Sequence, residues 1–213
     1  MFEDRKDAGR KLAGALSKYR GQDVLVLGIP RGGVGIAYGV ADHLDADMSM
    51  LVSRKLPLPF NPEAGFGAIA EDGSTFIQKD AQAWLSENDM QRIVQEQEKE
   101  VERRIRVLRG GESLPAIKDR TVILVDDGLA MGSTMRASIK MCKNMKAKKI
   151  IVGVPVSGDR TAREIEEMVD ELVVLELPPY FRAVAQIYIN WHDVSDEEVR
   201  SIMMKWKKTH PPG

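Results

Sequence analysis

The chain has one cysteine, Cys142, and three histidines, His43, His192 and His210. A lone cysteine closes no internal disulfide, and the scattered histidines lack zinc-ligand spacing, which excludes a disulfide framework and a structural zinc centre. Cys142 is read as a packing residue. Aromatic residues are scarce, at 6%. Basic and acidic side chains nearly cancel, 31 against 32, so a net charge of −1 gives no global field to recruit nucleic acid or an anionic membrane. The longest apolar runs are strand-length, well short of the roughly 20 residues of a transmembrane helix. The opening Met1-Phe2-Glu3-Asp4-Arg5-Lys6 has no apolar core of a secretory signal, so a cytoplasmic location is expected. Internal repeats, low-complexity tracts, a P-loop, a G-x-G-x-x-G fingerprint and a G-x-S-x-G elbow are all missing. What remains is ordinary globular material, 43% hydrophobic and 30% charged over 213 residues, enough for one α/β domain with a sizeable core.

Ala8, Leu12, Ala15, Leu16 and Tyr19 fall at helical spacing within residues 3–19, and Gly21 stops that helix. Apolar, strand-length runs follow at 23–27, 48–53, 122–125, 149–156 and 172–177. Helical patterns occupy 34–44, 88–109, 135–145, 161–169 and 195–206, with Asp193 or Ser195 as the cap of the last. Continuous apolar strands separated by helices predict an open, mostly parallel sheet covered on both faces. Three prolines and two glycines between Leu56 and Gly67 argue against regular structure there, while 68–70 and 75–77 are spaced to pair around Glu71-Asp72-Gly73-Ser74. Glu63 and Glu71 in this segment are expected to be solvated. In the 88–109 helix, Ile93, Val94, Val101, Ile105 and Leu108 form a thin apolar stripe. Its glutamates 96, 98, 100 and 102 and Arg103, Arg104 and Arg106 read as a solvated, salt-bridged face. Beyond residue 178 the tail is aromatic-rich, with Tyr180, Phe181, Tyr188 and Trp191; Tyr180, Phe181 and Trp191 suit either base stacking or core and dimer contacts.

The most informative stretch is Val122-Ile123-Leu124-Val125-Asp126-Asp127-Gly128-Leu129-Ala130-Met131-Gly132-Ser133-Thr134. A strand runs into two acids and then a glycine-punctuated loop that opens a helix, whose unpaired N–H groups suit a phosphate. The acids repel phosphate and lie too early to cap the helix, so they address sugar hydroxyls, a metal ion, or both. Adjacent residues at a strand end face opposite ways, so one acid is expected to meet the ligand and the other to support it. A second glycine loop, Pro30-Arg31-Gly32-Gly33, also joins a strand to a helix and adds an arginine fork for anions. Arg54-Lys55 ends another strand, at the edge where open α/β sheets bind ligands.

The 122–134 stretch resembles the signature of type I phosphoribosyltransferases. Together with Phe2-Glu3-Asp4-Arg5, Ile29-Pro30-Arg31-Gly32-Gly33-Val34, Arg54-Lys55, Asn61-Pro62-Glu63, Gly67-Ala68 and Glu71-Asp72-Gly73, it is similar to a family of predicted phosphoribosyltransferases of unassigned acceptor. The resemblance implies phosphoribosyl pyrophosphate (PRPP) as donor, a nitrogenous base or nucleotide as the other substrate, and Mg as cofactor. It implies catalytic roles for Asp126, Asp127 and Lys55, with the two acids as possible metal contacts. Gly128, Leu129, Ala130, Met131, Gly132, Ser133 and Thr134 would hold the 5-phosphate, and Arg31, Gly32, Gly33, Arg54 and Lys55 the pyrophosphate. It also implies an unusual, often cis, peptide near Arg31, a mobile loop at about 56–73, a hood built from the N-terminal helix and the tail at about 178–213, one domain spanning 1–213, and a homodimer. Family members usually carry Thr or Ser where this chain has Met131. A PRPP or nucleotide sensor with little turnover is therefore the alternative function, and a plain structural α/β domain a more distant one.

Overall fold

Val24–Gly28 (β1) and Thr121–Val125 (β6) carry apolar side chains on both faces, so each needs cover twice over. The computed structural model, which describes residues 1–210, satisfies this by making them neighbours at the centre of a parallel sheet. The sheet runs β2-β1-β6-β7-β8, with β2 at Asp47–Met50, β7 at Lys149–Val156 and β8 at Glu171–Glu176. Val24, Val26, Ile123, Val125 and Ile151 point to one side, where Arg5–Ala15 (α1), Gly32–Leu44 (α2) and Asp196–Thr209 (α6) pack. Leu25, Leu27, Val122, Leu124 and Val152 point to the other, under Ser133–Asn144 (α4) and Asp159–Glu166 (α5). Each fully buried aliphatic side chain contributes about 1.5–3 kcal/mol, which makes this double-sided core the main source of stability. Cys142 lies wholly within it, and burial pushes its thiol up to about 12, consistent with a packing role. No helix among the described residues is long and apolar enough to cross a membrane.

The segment expected to be irregular is instead strand. Ser53–Leu58 (β3), Asn61–Ala70 (β4) and Thr75–Ile77 (β5) form an antiparallel sheet in the order β3-β4-β5. Pro57 is accommodated because β3 is an edge strand whose register shifts on either side of it, where a missing N–H is tolerated; Pro59 falls in the turn, and Pro62 is the second residue of β4. The expected β4–β5 pairing is present, with Ala68 opposite Phe76 and Ile69 opposite Thr75. Gly67 permits that close approach, since a Cβ there would lie 2.1 Å from the Phe76 carbonyl oxygen. Val52, Leu56, Phe66 and Ile69 form a further core with Ile93 and Val101 of Glu87–Arg109 (α3). Ser86 caps α3 and Gly110 ends it in the left-handed conformation. At α6 it is Ser195, not Asp193, that caps, in a reciprocal capping box with Glu198.

Glu71 is not solvated. Its side chain is 8% exposed and pairs with Arg109, 5% exposed, at 2.7 and 3.0 Å. Arg109 also donates to the Met50 carbonyl at 2.9 Å, and Glu71 accepts from the Val52 amide at 2.8 Å. One ion pair thus ties the end of α3 to the junction between the two sheets. The side chain of Glu63 lies outside the described residues. Arg109→Ala is expected to lower unfolding free energy by about 3–5 kcal/mol, because it strands a buried carboxylate. The double variant Arg109→Leu with Glu71→Leu should lose less, and urea denaturation in which the double is no more stable than the single would contradict this.

Candidate active site

β1 and β6 end in register, Gly28 opposite Val125, so the loops that leave them emerge side by side. Ile29 donates to the Val125 carbonyl at 2.8 Å, and the Pro30–Arg31 peptide that follows is cis. The next two residues lie against the acids. A Cβ on Gly33 would sit 2.6 Å from the Val125 oxygen, and one on Gly32 only 1.8 Å from Asp127 Oδ2. No other residue type fits these two positions without displacing the acids.

Asp126 and Asp127 differ in their partners. Asp127 Oδ2 accepts from Arg5 Nε at 2.9 Å and forms an ion pair with Nη2, also at 2.9 Å. The same guanidinium donates to the His192 carbonyl at 2.8 Å and stacks over Trp191, 4.0 Å from the ring centroid. Tyr188 donates its hydroxyl to the Asp127 carbonyl at 2.8 Å and packs against Phe2 and Trp191. Asp126 has no cation at ion-pair distance among the described residues; its Oδ1 accepts from the Asp127 amide at 2.8 Å. Burial, and then the charge of Asp127, pushes the Asp126 carboxyl well above the usual carboxylate range. Burial also raises Asp127, with Arg5 opposing.

Beyond the acids the loop is pinned from outside. Leu129 bridges β7, its amide donating to the Val156 carbonyl at 2.9 Å. The Ala130 carbonyl accepts from Thr161 Oγ1 at 2.9 Å and the Met131 carbonyl from Arg136 Nη1 at 2.5 Å. Arg136 is braced in turn by Glu164 at 2.5 Å. With these carbonyls held, the amides of Ala130, Met131 and Gly132 donate to no protein group among the described residues. Gly132 takes φ 70 and α4 starts at the next residue, so three loose amides adjoin a helix N-terminus. Residues 128–134 line a cavity of about 430 Å³ with Lys55, Leu58, Gly65 and Trp84. Met131 is 63% exposed.

The expected site residues fall into two groups. Lys55 joins the 128–134 loop at the cavity. Arg54, on the opposite face of β3, turns to α3 and donates to Gln97 Oε1 at 3.4 Å. Arg31 leans toward Asp196, 3.6 Å away. Gly32 opens onto a second cavity of about 300 Å³ between α1, α2 and α6, floored by Tyr38, Val194 and Ile202. Sequence reasoning missed Arg5 and Arg136 as supports. Arg5 carried a signal in Phe2-Glu3-Asp4-Arg5, whereas Arg136 carried none. Of the tail aromatics, Trp191 is occupied by Arg5, Phe181 packs on the core and Tyr180 is exposed. Among the described residues no three His, Cys, Asp or Glu side chains converge on a metal position. With Asp127 engaged by Arg5, the acids suit a Mg ion that takes most of its oxygens from substrate and water.

A parallel five-stranded sheet with flanking helices, a small antiparallel sheet beside it, and acids before a phosphate-type loop together define the type I phosphoribosyltransferase fold. The phosphoribosyl transferase domain model matches residues 2–189, and the chain belongs to that family. It is 39% identical over 201 residues to proteins of two Mycobacterium tuberculosis strains, CDC 1551 / Oshkosh and H37Rv, each named "Putative phosphoribosyl transferase". That match covers 93% of this chain but 45% of theirs, so the chain spans about half the length of these relatives. The crystal structure of TT1426 from Thermus thermophilus is similar at TM-score 0.82 and 33% identity, over 96% of this chain and 98% of that one. A hypoxanthine phosphoribosyltransferase of Staphylococcus aureus, TM-score 0.50 and 14% identity over 84% and 76% of the two chains, shares the fold.

The environment of Asp126 has a testable sign. A carboxyl raised in the folded state holds its proton after the unfolded chain has released it, so the native state loses stability as pH climbs past the ordinary value of 3.8. Asp126→Asn is therefore expected to be more stable than the parent at pH 7, with the gain fading as pH falls toward 3.8. Denaturation curves across pH showing no gain, or one independent of pH, would refute this.

Proposed function

We propose that the chain transfers ribose 5-phosphate from PRPP to a nitrogenous base, or runs the reverse, with release of pyrophosphate and dependence on Mg. The observation that carries this reading is the adjacency, along one sheet edge, of a half-buried acid pair and a loop whose amides donate to no protein group among the described residues. An anion and a polyol have to be bound a few ångströms apart, as they are in a phosphorylated ribose. The amides of residues 130–132 and the hydroxyls of Ser133 and Thr134 would hold the 5-phosphate. Asp126, whose proton affinity is raised, is a strong acceptor for the ribose hydroxyls. Asp127 is the positioning residue, fixed by Arg5. The amide of Gly32, with Arg31 and Lys55, would receive the pyrophosphate beside Gly33, whose own amide donates to the Ile29 carbonyl at 3.1 Å, and Asp126 would share the Mg with substrate oxygens. The metal supplies charge neutralisation at the leaving group.

The bond from the ribose anomeric carbon to pyrophosphate oxygen breaks, and one from that carbon to the base nitrogen forms; the nitrogen's proton leaves to solvent. Positive charge develops on the ribose, so this chain's contribution is positioning and electrostatics at the departing anion. Phe2, Tyr188 and Trp191, gathered over Asp127 from the two ends of the chain, would form the base of the hood, and the β3–β4 hairpin would shield the cavity from water.

A sensor with little turnover keeps one specific observation in its favour, the exposed Met131 on the phosphate loop. Asp126→Ala should abolish pyrophosphate release with every base accepted by the parent, and unaltered kinetics would refute the assignment. PRPP binding without release across a broad panel of bases would favour the sensor. Met131→Thr adds a hydroxyl worth about 1.5–3 kcal/mol if it meets the phosphate, so titration calorimetry with Mg-PRPP should show about ten- to hundredfold tighter binding. An unchanged dissociation constant would mean the missing hydroxyl is replaced elsewhere.

A further inference from the structure

The 300 Å³ cavity between α1, α2 and α6 has no place in the proposed transfer, yet it borders the supports of the acid pair. Arg5 and Gly32 line it, and both also press on Asp127: Arg5 through its ion pair at 2.9 Å, Gly32 so closely that a Cβ there would lie 1.8 Å from Oδ2. Neither acid lines the cavity, so Arg5 and Gly32 stand as a partition between it and the proposed ribose position. A base lying in it would be cut off from the anomeric carbon. Its occupant is therefore a separate ligand.

The floor is apolar, made of Tyr38, Val194 and Ile202, and Gly35 keeps it open: the atom nearest to a Cβ there would be Ile202 Cδ1, 3.7 Å away. Such a volume lies at the small end of ligand pockets and suits a single ring. Most charged groups at the rim are already spent. Asp4 caps α1 by accepting from the Asp7 amide at 2.8 Å, and Glu198 accepts from the Ser195 amide at 2.8 Å and pairs with His192 at 2.9 Å. Arg5 is committed to Asp127 and to the His192 carbonyl. Lys6 and Lys205 pair with no carboxylate among the described residues; Lys205 instead rests over the Tyr38 ring, 5.0 Å from its centroid. The Tyr38 hydroxyl likewise has no hydrogen-bond partner among them. Two ammonium groups and one hydroxyl, all donors, are thus available beside an apolar floor.

We propose that this cavity is an effector site for a small aromatic monocarboxylate, its ring against Tyr38 and Ile202 and its carboxylate on Lys6 and Lys205. An aromatic ring matches the Tyr38 surface, and two carboxylate oxygens match two ammonium donors. The carboxylates of Asp4 and Glu198 on the same rim oppose an anion of higher charge. Because the partition is shared, a bound ligand bears on the Arg5–Asp127 pair, and through it on the ribose position beyond. That coupling rests on the proposed reaction; the site itself does not.

The test is amide-resolved NMR titration of the full chain with benzoate and, separately, with its neutral analogue benzamide. Benzoate is expected to shift the amides of Gly32, Gly35 and Ile202 and to bind about fivefold or more tightly than benzamide. Lys6→Gln combined with Lys205→Gln, both at exposed positions, should remove that preference. Gly35→Leu, which puts a better helix former in α2 and fills the cavity, should abolish binding of both probes. If Gly35→Leu does not fold, the double lysine variant carries the test alone. Calorimetry then reads the coupling: saturating benzoate should change Mg-PRPP affinity by about fivefold, and Mg-PRPP should change benzoate affinity by the same factor. Equal affinity for the two probes, shifts confined to other parts of the chain, or Mg-PRPP affinity unmoved by benzoate would overturn the proposal. Benzoate bound in the cavity of a chain that binds no PRPP would leave the site standing and overturn the transferase reading.

Discussion

Two half-buried carboxylates on consecutive residues, supplied with one cation, set the terms for the rest of this molecule. Asp126 and Asp127 repel each other, and burial strengthens that repulsion. The fold contains it with Arg5, brought across 122 positions of sequence and fixed by the His192 carbonyl and the Trp191 ring. For this the start of the chain and its tail must meet beside the strand end. The bridge between Phe2 and Tyr188 and the Tyr188 hydroxyl on the Asp127 backbone supply that meeting. The loop opposite can only be glycine, because Gly32 and Gly33 press against the acids themselves. Such a site is maintained against its own electrostatics by the double-sided core beneath it, the usual relation between a functional site and its scaffold.

The strand alternation of β3 has a comparable reach. Arg54 and Lys55 are neighbours in sequence, yet the pleat sends one toward α3 and the other toward the phosphate-loop cavity. Two adjacent cations thus serve two separate regions of one edge. The Glu71–Arg109 pair secures the base of the same small sheet, so its strands rise from a fixed point between the larger sheet and α3.

Much of this was legible from the sequence because its causes are local. Apolar runs at 122–125 and 149–156 named the central strands, and the order of elements named the parallel sheet. The 68–70 and 75–77 spacing named the β4–β5 pair. The proline-rich stretch misled because proline's rule is positional: Pro57 sits in an edge strand at a bulge, Pro59 in the turn and Pro62 at the start of its strand, and which strand lies at an edge is decided by the whole sheet. Glu71 looked solvated because its partner is 38 residues away, and Glu100 and Arg104 looked exposed because their inward turn depends on β3. Arg5 and Arg136 act on groups in separate elements, a relation that periodicity does not encode. The two glycine loops and the acid pair were visible, whereas the side chains that position them came into view only with the fold.

The central claim is that one sheet edge holds a phosphorylated ribose by amides at one end and an acid at the other. A crystal structure of the chain with PRPP and Mg tests it most directly. The account predicts the 5-phosphate on the amides of residues 130–134, ribose hydroxyls on Asp126, and Asp127 still paired to Arg5. A PRPP bound away from residues 126–134, or with its 5-phosphate on the Gly32–Gly33 loop instead, would contradict it.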